Sequence, residues 1–248
     1  MIHYHGLPIT PVGDMLRALR GRHAMVSFAH PEQLEAAVEV CQSVVLDNGA
    51  FSAYQSAKSY DFKGYRSWCD EWIHHPAVDW CVIPDVIDGG EVENDKLLSA
   101  WYLPNHCSVP VYHFDEPLLR LACLMDHYPR IALGSSGKFM QVGTRAWWMR
   151  TAEIMKVVCD ENGVPKVKLH GMRMLDPKVF GKMPLASADS CNVGINKGLD
   201  NSWIGAKAPK SPWVKALVLV DRIENSPAAS RWATHSIDPS LNLFPPTA

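Results

Sequence analysis

No stretch of this 248-residue chain approaches the roughly 18 uninterrupted apolar residues of a membrane-spanning helix, so no transmembrane segment is expected. The start, MIHYHGLPITP, lacks the basic and then apolar order of a secretory signal peptide, and the expectation is a cytosolic protein. Cysteine occurs seven times, an odd number and never as C-x-x-C, and Cys81 and Cys123 sit inside the apolar runs WCVIP and LACLM. Buried free thiols are therefore expected rather than a disulfide framework. There is no H-E-x-x-H, no G-x-S-x-G and no Walker spacing, which removes the usual signatures of zinc proteases, serine hydrolases and P-loop enzymes. Neither a metal nor a cofactor is expected.

What is present is the composition of an ordinary globular protein: 47% apolar residues, 20% charged ones, and 24 Lys plus Arg against 26 Asp plus Glu. The net charge of -2 conceals an asymmetry. Between Lys166 and Lys215 nine Lys or Arg accompany three acids, so that stretch carries +6 and the remainder -8. Such a segment is either a solvated lysine-rich face or a docking surface for a polyanion. Lys197, Lys207 and Lys210 within it are the candidate contacts to the backbone of such a polyanion.

Eight short β-rich apolar runs recur along the chain, at 2–5, 24–29, 43–47, 79–84, 109–114, 130–134, 166–170 and 184–189. Runs that are continuous rather than alternating indicate strands covered on both faces, as parallel strands behind helices are. Helical stretches are expected between them at 12–19, 31–40, 65–74, 93–101, 118–127, 144–159 and, as a short turn, 177–180, with a last amphipathic stretch at 212–223. The pattern predicts a single (β/α)8 barrel of the TIM type over 1–248, with an irregular C-terminal extension from about 224. A doubly wound open sheet is the alternative.

In a parallel barrel the chemistry sits at the C-terminal ends of the strands. Those ends are polar here: His5; Asp47 with Asn48 and Gly49; Asp85; His113 with Asp115 and Glu116; Gly134-Ser135-Ser136-Gly137; His170; and Asp189. On this assignment they converge on one mouth. Aspartates placed so can act as nucleophile, as general acid or base, or as acceptors for a ligand's N–H groups. The Gly-Ser-Ser-Gly segment would let a flat ligand approach the main chain closely. Asn48, Phe51, Tyr54, His113 and His170 are further candidate substrate contacts near these ends.

These residues resemble a known family. LDNGAFSAY (46–54) resembles the D-S-G-G-F-Q motif of the tRNA-guanine transglycosylases, (β/α)8 enzymes that break and remake N-glycosidic bonds. VIPDV (82–86) is similar to the strand carrying a base-recognising Asp, and VYHFDE sits where V-Q-G-G would stand. ALGSSGKF (132–139) resembles A-L-G-G-L-A-V-G-E, KLHGMRMLDP (168–177) resembles Y-L-M-G-V-G-x-P-x-D, and LASADSCN (185–192) parallels F-D-C-V-L-P-T-R. Carried over, the resemblance implies Asp189 as the nucleophile at C1′, Asp47 as the proton-transfer carboxylate, Asp85 as acceptor for a base edge, and the Gly134, Ser135 and Ser136 backbone against the base.

The family's C-x-C-x-x-C zinc motif and distant His have no counterpart, since only Cys191 and His235 follow Asp189; Ala50 replaces the second Gly of G-G-F-Q. The zinc subdomain is therefore not expected. The chain resembles reduced members found in phage and phage-defence settings, where this fold acts on DNA bases, either inserting deazaguanines or excising a bulky modified base. The implied function is a DNA glycosylase excising a modified, hypermodified base, with DNA as partner. Alternatives are base exchange on DNA or tRNA, a barrel enzyme for a small nucleoside or sugar phosphate, and a catalytically silent binding module.

Overall fold

A computed structural model describes residues 1–56, 60–196 and 207–233. Its centre is a parallel sheet of nine strands: β1 (Ile2–Gly6), β2 (His23–Ser27), β3 (Ser43–Asp47), β4 (Val78–Val82), β5 (Ser108–Val109), β6 (Val111–His113), β7 (Arg130–Gly134), β8 (Lys168–Gly171) and β9 (Ser187–Ser190). Pairing runs β5-β4-β3-β2-β1-β9-β8-β7-β6. The two outermost strands of that order, β5 and β6, are separated in the chain only by Pro110, so the sheet curls back on itself into a nearly closed barrel. Pro110 has no N–H to give to the ladder, yet its carbonyl still accepts from the Ala132 N–H at 2.9 Å. The expected run at 109–114 is thus one strand position split in two.

Helices alternate with the strands: α1 (Val12–Ala18), α2 (Leu34–Val40), α3 (Ala50–Ser56), α4 (Phe62–Trp72), α5 (Gly90–Ala100), α6 (Leu118–His127), α7 (Arg145–Val158), α8 (Pro177–Phe180), α9 (Asn192–Asn196) and α10 (Pro212–Glu224). Short polar side chains start several of them. Asp61 accepts from the Gly64 N–H at 2.9 Å ahead of α4, and Thr144 from the Trp147 N–H at 3.3 Å ahead of α7. The sequence reading missed α3 and α9, which have seven and five residues and bury little apolar surface.

Residues alternate between two apolar layers, as the strand period of two demands, save at a register shift at the start of β4, where Val44 pairs with Val78 and Val45 with Trp80. Tyr4, Met25, Val45, Trp80, Val82, Val109, Val111 and Ala132 fill the barrel interior. Their chain neighbours Ala24, Val26, Val44, Leu46, Cys81, Tyr112, Ile131 and Leu133 point outward into the larger core beneath the helices, where Trp147 stacks on Phe114 at 5.4 Å. Five cysteines are buried or half-buried in these layers and two, Cys123 and Cys191, are exposed; none of the seven is in a disulfide. Helix α10 is pinned by Arg22, just ahead of β2, which bonds Asp221 at 2.6 Å and Glu224 at 2.5 Å. No helix is long and apolar enough to cross a membrane among the described residues.

The outer layer carries the stability in this arrangement. Leu133→Ala removes a fully buried side chain, and should lower the unfolding free energy by about 2–5 kcal/mol in urea titrations. Leu119→Ala, at a position 75% exposed, should change it by less than about 0.5 kcal/mol.

Candidate active site

The alternation that fills the barrel also decides which side chains reach its mouth. Asp47 continues the inward row of Val45, His113 that of Val111, Gly134 that of Ala132, and Asp189 lies two residues beyond Ser187 on the inward row of β9. These residues, with Asp85 from the loop after β4, line one cavity of about 710 Å³ at the C-terminal ends of the strands. Three carboxylates from three separate strand ends therefore share one space.

Asp47 is built into the turn D-N-G-A. Its Oδ2 accepts from the Gly49 N–H at 3.1 Å, and Asn48 Oδ1 accepts from the Ala50 N–H at 2.8 Å, starting α3. Gly49 has φ +77°, and a Cβ there would lie 3.0 Å from the Ala29 N, so the turn needs glycine twice over. Asp47 keeps one side open to the cavity but is otherwise walled in. Burial is the largest influence on its carboxyl; hydrogen bonds from Ser27 and the Gly49 N–H oppose it, the Asp189 and Asp85 charges reinforce it, and the result is a carboxyl pushed up to about 7. Asp47 can hold or release a proton near neutrality.

Asp85 is held differently. Its Oδ1 accepts from Asn48 Nδ2 at 2.6 Å, and the same amide nitrogen also donates to the Ile83 carbonyl at 2.9 Å. Its Oδ2 lies 2.8 Å from His113 Nε2. Burial pulls the His113 ring down, but the bond and charge of Asp85, with the Glu116 and Asp115 charges, outweigh it and raise the ring above its ordinary value. The result is a buried His113-Asp85 pair, in which each oxygen of Asp85 faces a nitrogen.

Asp189 is fastened from a third direction. Oδ1 accepts from the backbone N–H of Arg173 at 2.8 Å, and His170 Nε2 stands 3.3 Å from the same oxygen. No hydrogen bond engages Oδ2 among the described residues. His170 is fully buried, with Nδ1 2.9 Å from Ser187 Oγ and its ring edge-on to Trp80 at 4.9 Å. Arg173 has φ +56°, the only positive φ among non-glycine described residues, and its guanidinium lies 3.7 Å over the Phe51 ring. Cys191 also lines the cavity. Desolvation, then the Asp189 and Asp47 charges, push its thiol up to about 12, so it is not a thiolate at neutral pH.

Of the residues expected at the mouth, Asp47, Asn48, Phe51, Asp85, His113, Gly134, Ser135 and Asp189 do line the cavity. Others stand elsewhere. His5 falls on the outward row next to Tyr4 and meets Glu224 at 3.0 Å, so it does not join the mouth. His170 lies beneath the cavity, behind Asp189, and is not among its lining residues. Tyr54 is 44% exposed on α3 and does not line the cavity. Ser136 is turned away, its hydroxyl bonded to Asp115, while the Ser135 hydroxyl accepts from Trp147 Nε1 at 2.9 Å. Glu116 is structural, accepting from Arg120 and from the His113 N–H. Lys207 and Lys210 are exposed ahead of α10 and do not line the cavity; Lys197 and His235 lie outside the described residues. The reading missed Arg173, because side-chain type does not reveal a backbone turned to positive φ.

The Asp47 environment has a direct consequence for stability. The native carboxyl keeps its proton to about pH 7, whereas in the unfolded chain it titrates near 3.8. The native state thus binds the extra proton between those values, and stability falls as pH rises through that window. Asp47→Asn should remove this slope, so its advantage in urea midpoint over the wild type should grow from pH 4 to pH 8. A difference independent of pH would contradict the assignment.

Compared with family models, with curated proteins and with solved structures, the chain gave no match.

Proposed function

We propose that the protein hydrolyses the N-glycosidic bond of a nucleic-acid base, its substrate being DNA that carries a modified base. The observation that carries this reading is the pairing, in one cavity, of a carboxyl that titrates near 7 with a second carboxylate that has a free oxygen: Asp47 and Asp189. Breaking such a bond needs positive charge stabilised at C1′ and a proton delivered to the departing base. Two carboxyl groups in unlike surroundings can divide those tasks.

Asp189, anchored through Oδ1, presents Oδ2 to the anomeric carbon and either bonds to it or stabilises the oxocarbenium ion. Asp47 gives its proton to the base as the C1′–N bond breaks. Water then supplies hydroxide to C1′ and its proton returns to Asp47, leaving an abasic sugar and a free base. The His113-Asp85 pair and the Gly134-Ser135 edge bound the space in which the base would lie. The cavity of about 710 Å³ is within the range of roughly 300–1,000 Å³ usual for small-molecule pockets. The resemblance to the transglycosylases in motif order supports the same assignment.

Incubation of unmodified and hypermodified phage DNAs with the protein, followed by mass spectrometry, should reveal a released base and matching abasic sites. Incorporation of an added free base would identify exchange instead. Activity on free nucleosides with no dependence on salt would point to a small-molecule enzyme. Asp189→Asn should reduce single-turnover base release by on the order of a thousandfold or more while leaving DNA affinity unchanged or slightly raised. With Asp47 as acid, the rate should fall above about pH 7, and Asp47→Asn should be slower and lack that limb. A full rate in Asp189→Asn would remove it from the chemistry.

A further inference from the structure

The cavity has a charge problem that the proposed reaction does not solve. A nucleic-acid strand must bring a phosphate close to a space lined by Asp47, Asp85 and Asp189. The proton held by Asp47 and the His113 partner of Asp85 moderate that field, and beside Asp189 the Arg173 N–H and His170 Nε2 both face Oδ1, so that Oδ2 is left open toward the cavity. Among the described residues, Arg173 is the only Lys or Arg that lines this space.

Its position is built rather than incidental. The residue occupies a left-handed backbone conformation that side chains rarely adopt, and strain of that kind persists where the surroundings impose it. The same turn aims the Arg173 N–H at Asp189 and brings the guanidinium carbon 3.7 Å over the Phe51 ring centre. Phe51 thus supports the fork from one side. Apart from a long contact of Nη2 with the Ser135 carbonyl at 3.5 Å, the guanidinium has no hydrogen bond among the described residues, and the residue is exposed. A planar fork with open N–H donors, held at the edge of a ligand-sized cavity, matches the oxygens of a phosphodiester.

We propose that Arg173 binds the phosphodiester flanking the nucleotide whose base enters the cavity, with Phe51 as the platform that orients it. This rests on the reading of the protein as a nucleic-acid enzyme. The lysines ahead of α10 would contact the strand farther out, whereas Arg173 sets the register of one nucleotide relative to Asp189. Because a single turn holds both groups, phosphate binding and the placement of Asp189 share one support.

The test uses the full chain and two single-stranded oligonucleotides with a central tetrahydrofuran abasic site, one with ordinary phosphates and one with methylphosphonates on both sides of that site. Wild type should prefer the charged probe by about tenfold. Arg173→Gln should bind both probes alike, and its salt slope on the charged probe should be shallower by about 0.7. Arg173→Lys should keep the slope and part of the preference. Phe51→Leu should retain the slope while weakening the preference, because the charge remains but its support is lost. Thermal unfolding of each variant checks that the fold is intact, as the Asp189 anchor is the backbone N–H and survives every substitution. A preference undiminished in Arg173→Gln overturns the proposal, as does a wild type that does not distinguish the probes or does not bind them. Base release by wild type is measured separately. Arg173-dependent probe binding without base release from any DNA would end the glycosylase reading and leave the phosphate site standing; base release with an unaffected Arg173→Gln would do the opposite.

Discussion

Closure of a parallel sheet into a barrel imposes alternation on every strand, and most of what is distinctive here follows from it. With a period of two, one residue in each pair must face the enclosed interior and the next must face the helices. The inward rows carry Tyr4, Met25, Val45, Trp80, Val111 and Ala132 through the barrel, and the same rows deliver Asp47, His113, Gly134 and Asp189 to its mouth. A shift of one residue in any strand would send that strand's functional side chain under a helix. His5 illustrates this: it is one position out of phase, and it is spent on Glu224 at the outer face.

Convergence creates an electrostatic difficulty, since several carboxylates cannot all be charged in one enclosed space without cost. The structure resolves it by giving each aspartate a different neighbourhood. Asp47 is left largely desolvated and retains its proton. Asp85 is matched by His113 and held by Asn48. Asp189 receives a backbone N–H from a strained turn. Chemical individuality thus arises from surroundings rather than from residue type.

These environments are supported from behind by satisfied polar groups. Glu116 receives the His113 N–H and Arg120, and Asn94 donates to it, so the strand end that presents His113 is tied to α5 and α6. Arg150 from α7 donates to the Phe114 and Glu116 carbonyls and to the Tyr112 hydroxyl. Buried charges need such partners to be tolerated. Here the partners bridge successive strand and helix units, which fixes the cavity wall between β6 and β7.

Much of the architecture was legible in the sequence because burial on both faces leaves a mark on composition. Each of the eight expected runs contains a strand position, and SVVLD and RIALG match β3 and β7 residue for residue. The residues at the strand ends also announced a shared mouth, but runs that are apolar on both faces do not show which parity points inward, so His5 could not be told apart from His113 and Asp189. Helices α3 and α9 left no such mark: they bury almost nothing, and α3 is started by the Asn48 side chain in a D-N-G-A turn rather than by an apolar period. The proton affinity of Asp47, the pairing of Asp85 with Asn48 and His113, and the approach of Arg173 to Phe51 and Asp189 involve residues as far as 142 positions apart or are set by a single φ angle. Short-range pattern determined the barrel and its rim; only the closed tertiary structure, by bringing distant strand ends within a few ångströms and removing water between them, decided which charges face one another and what each can do.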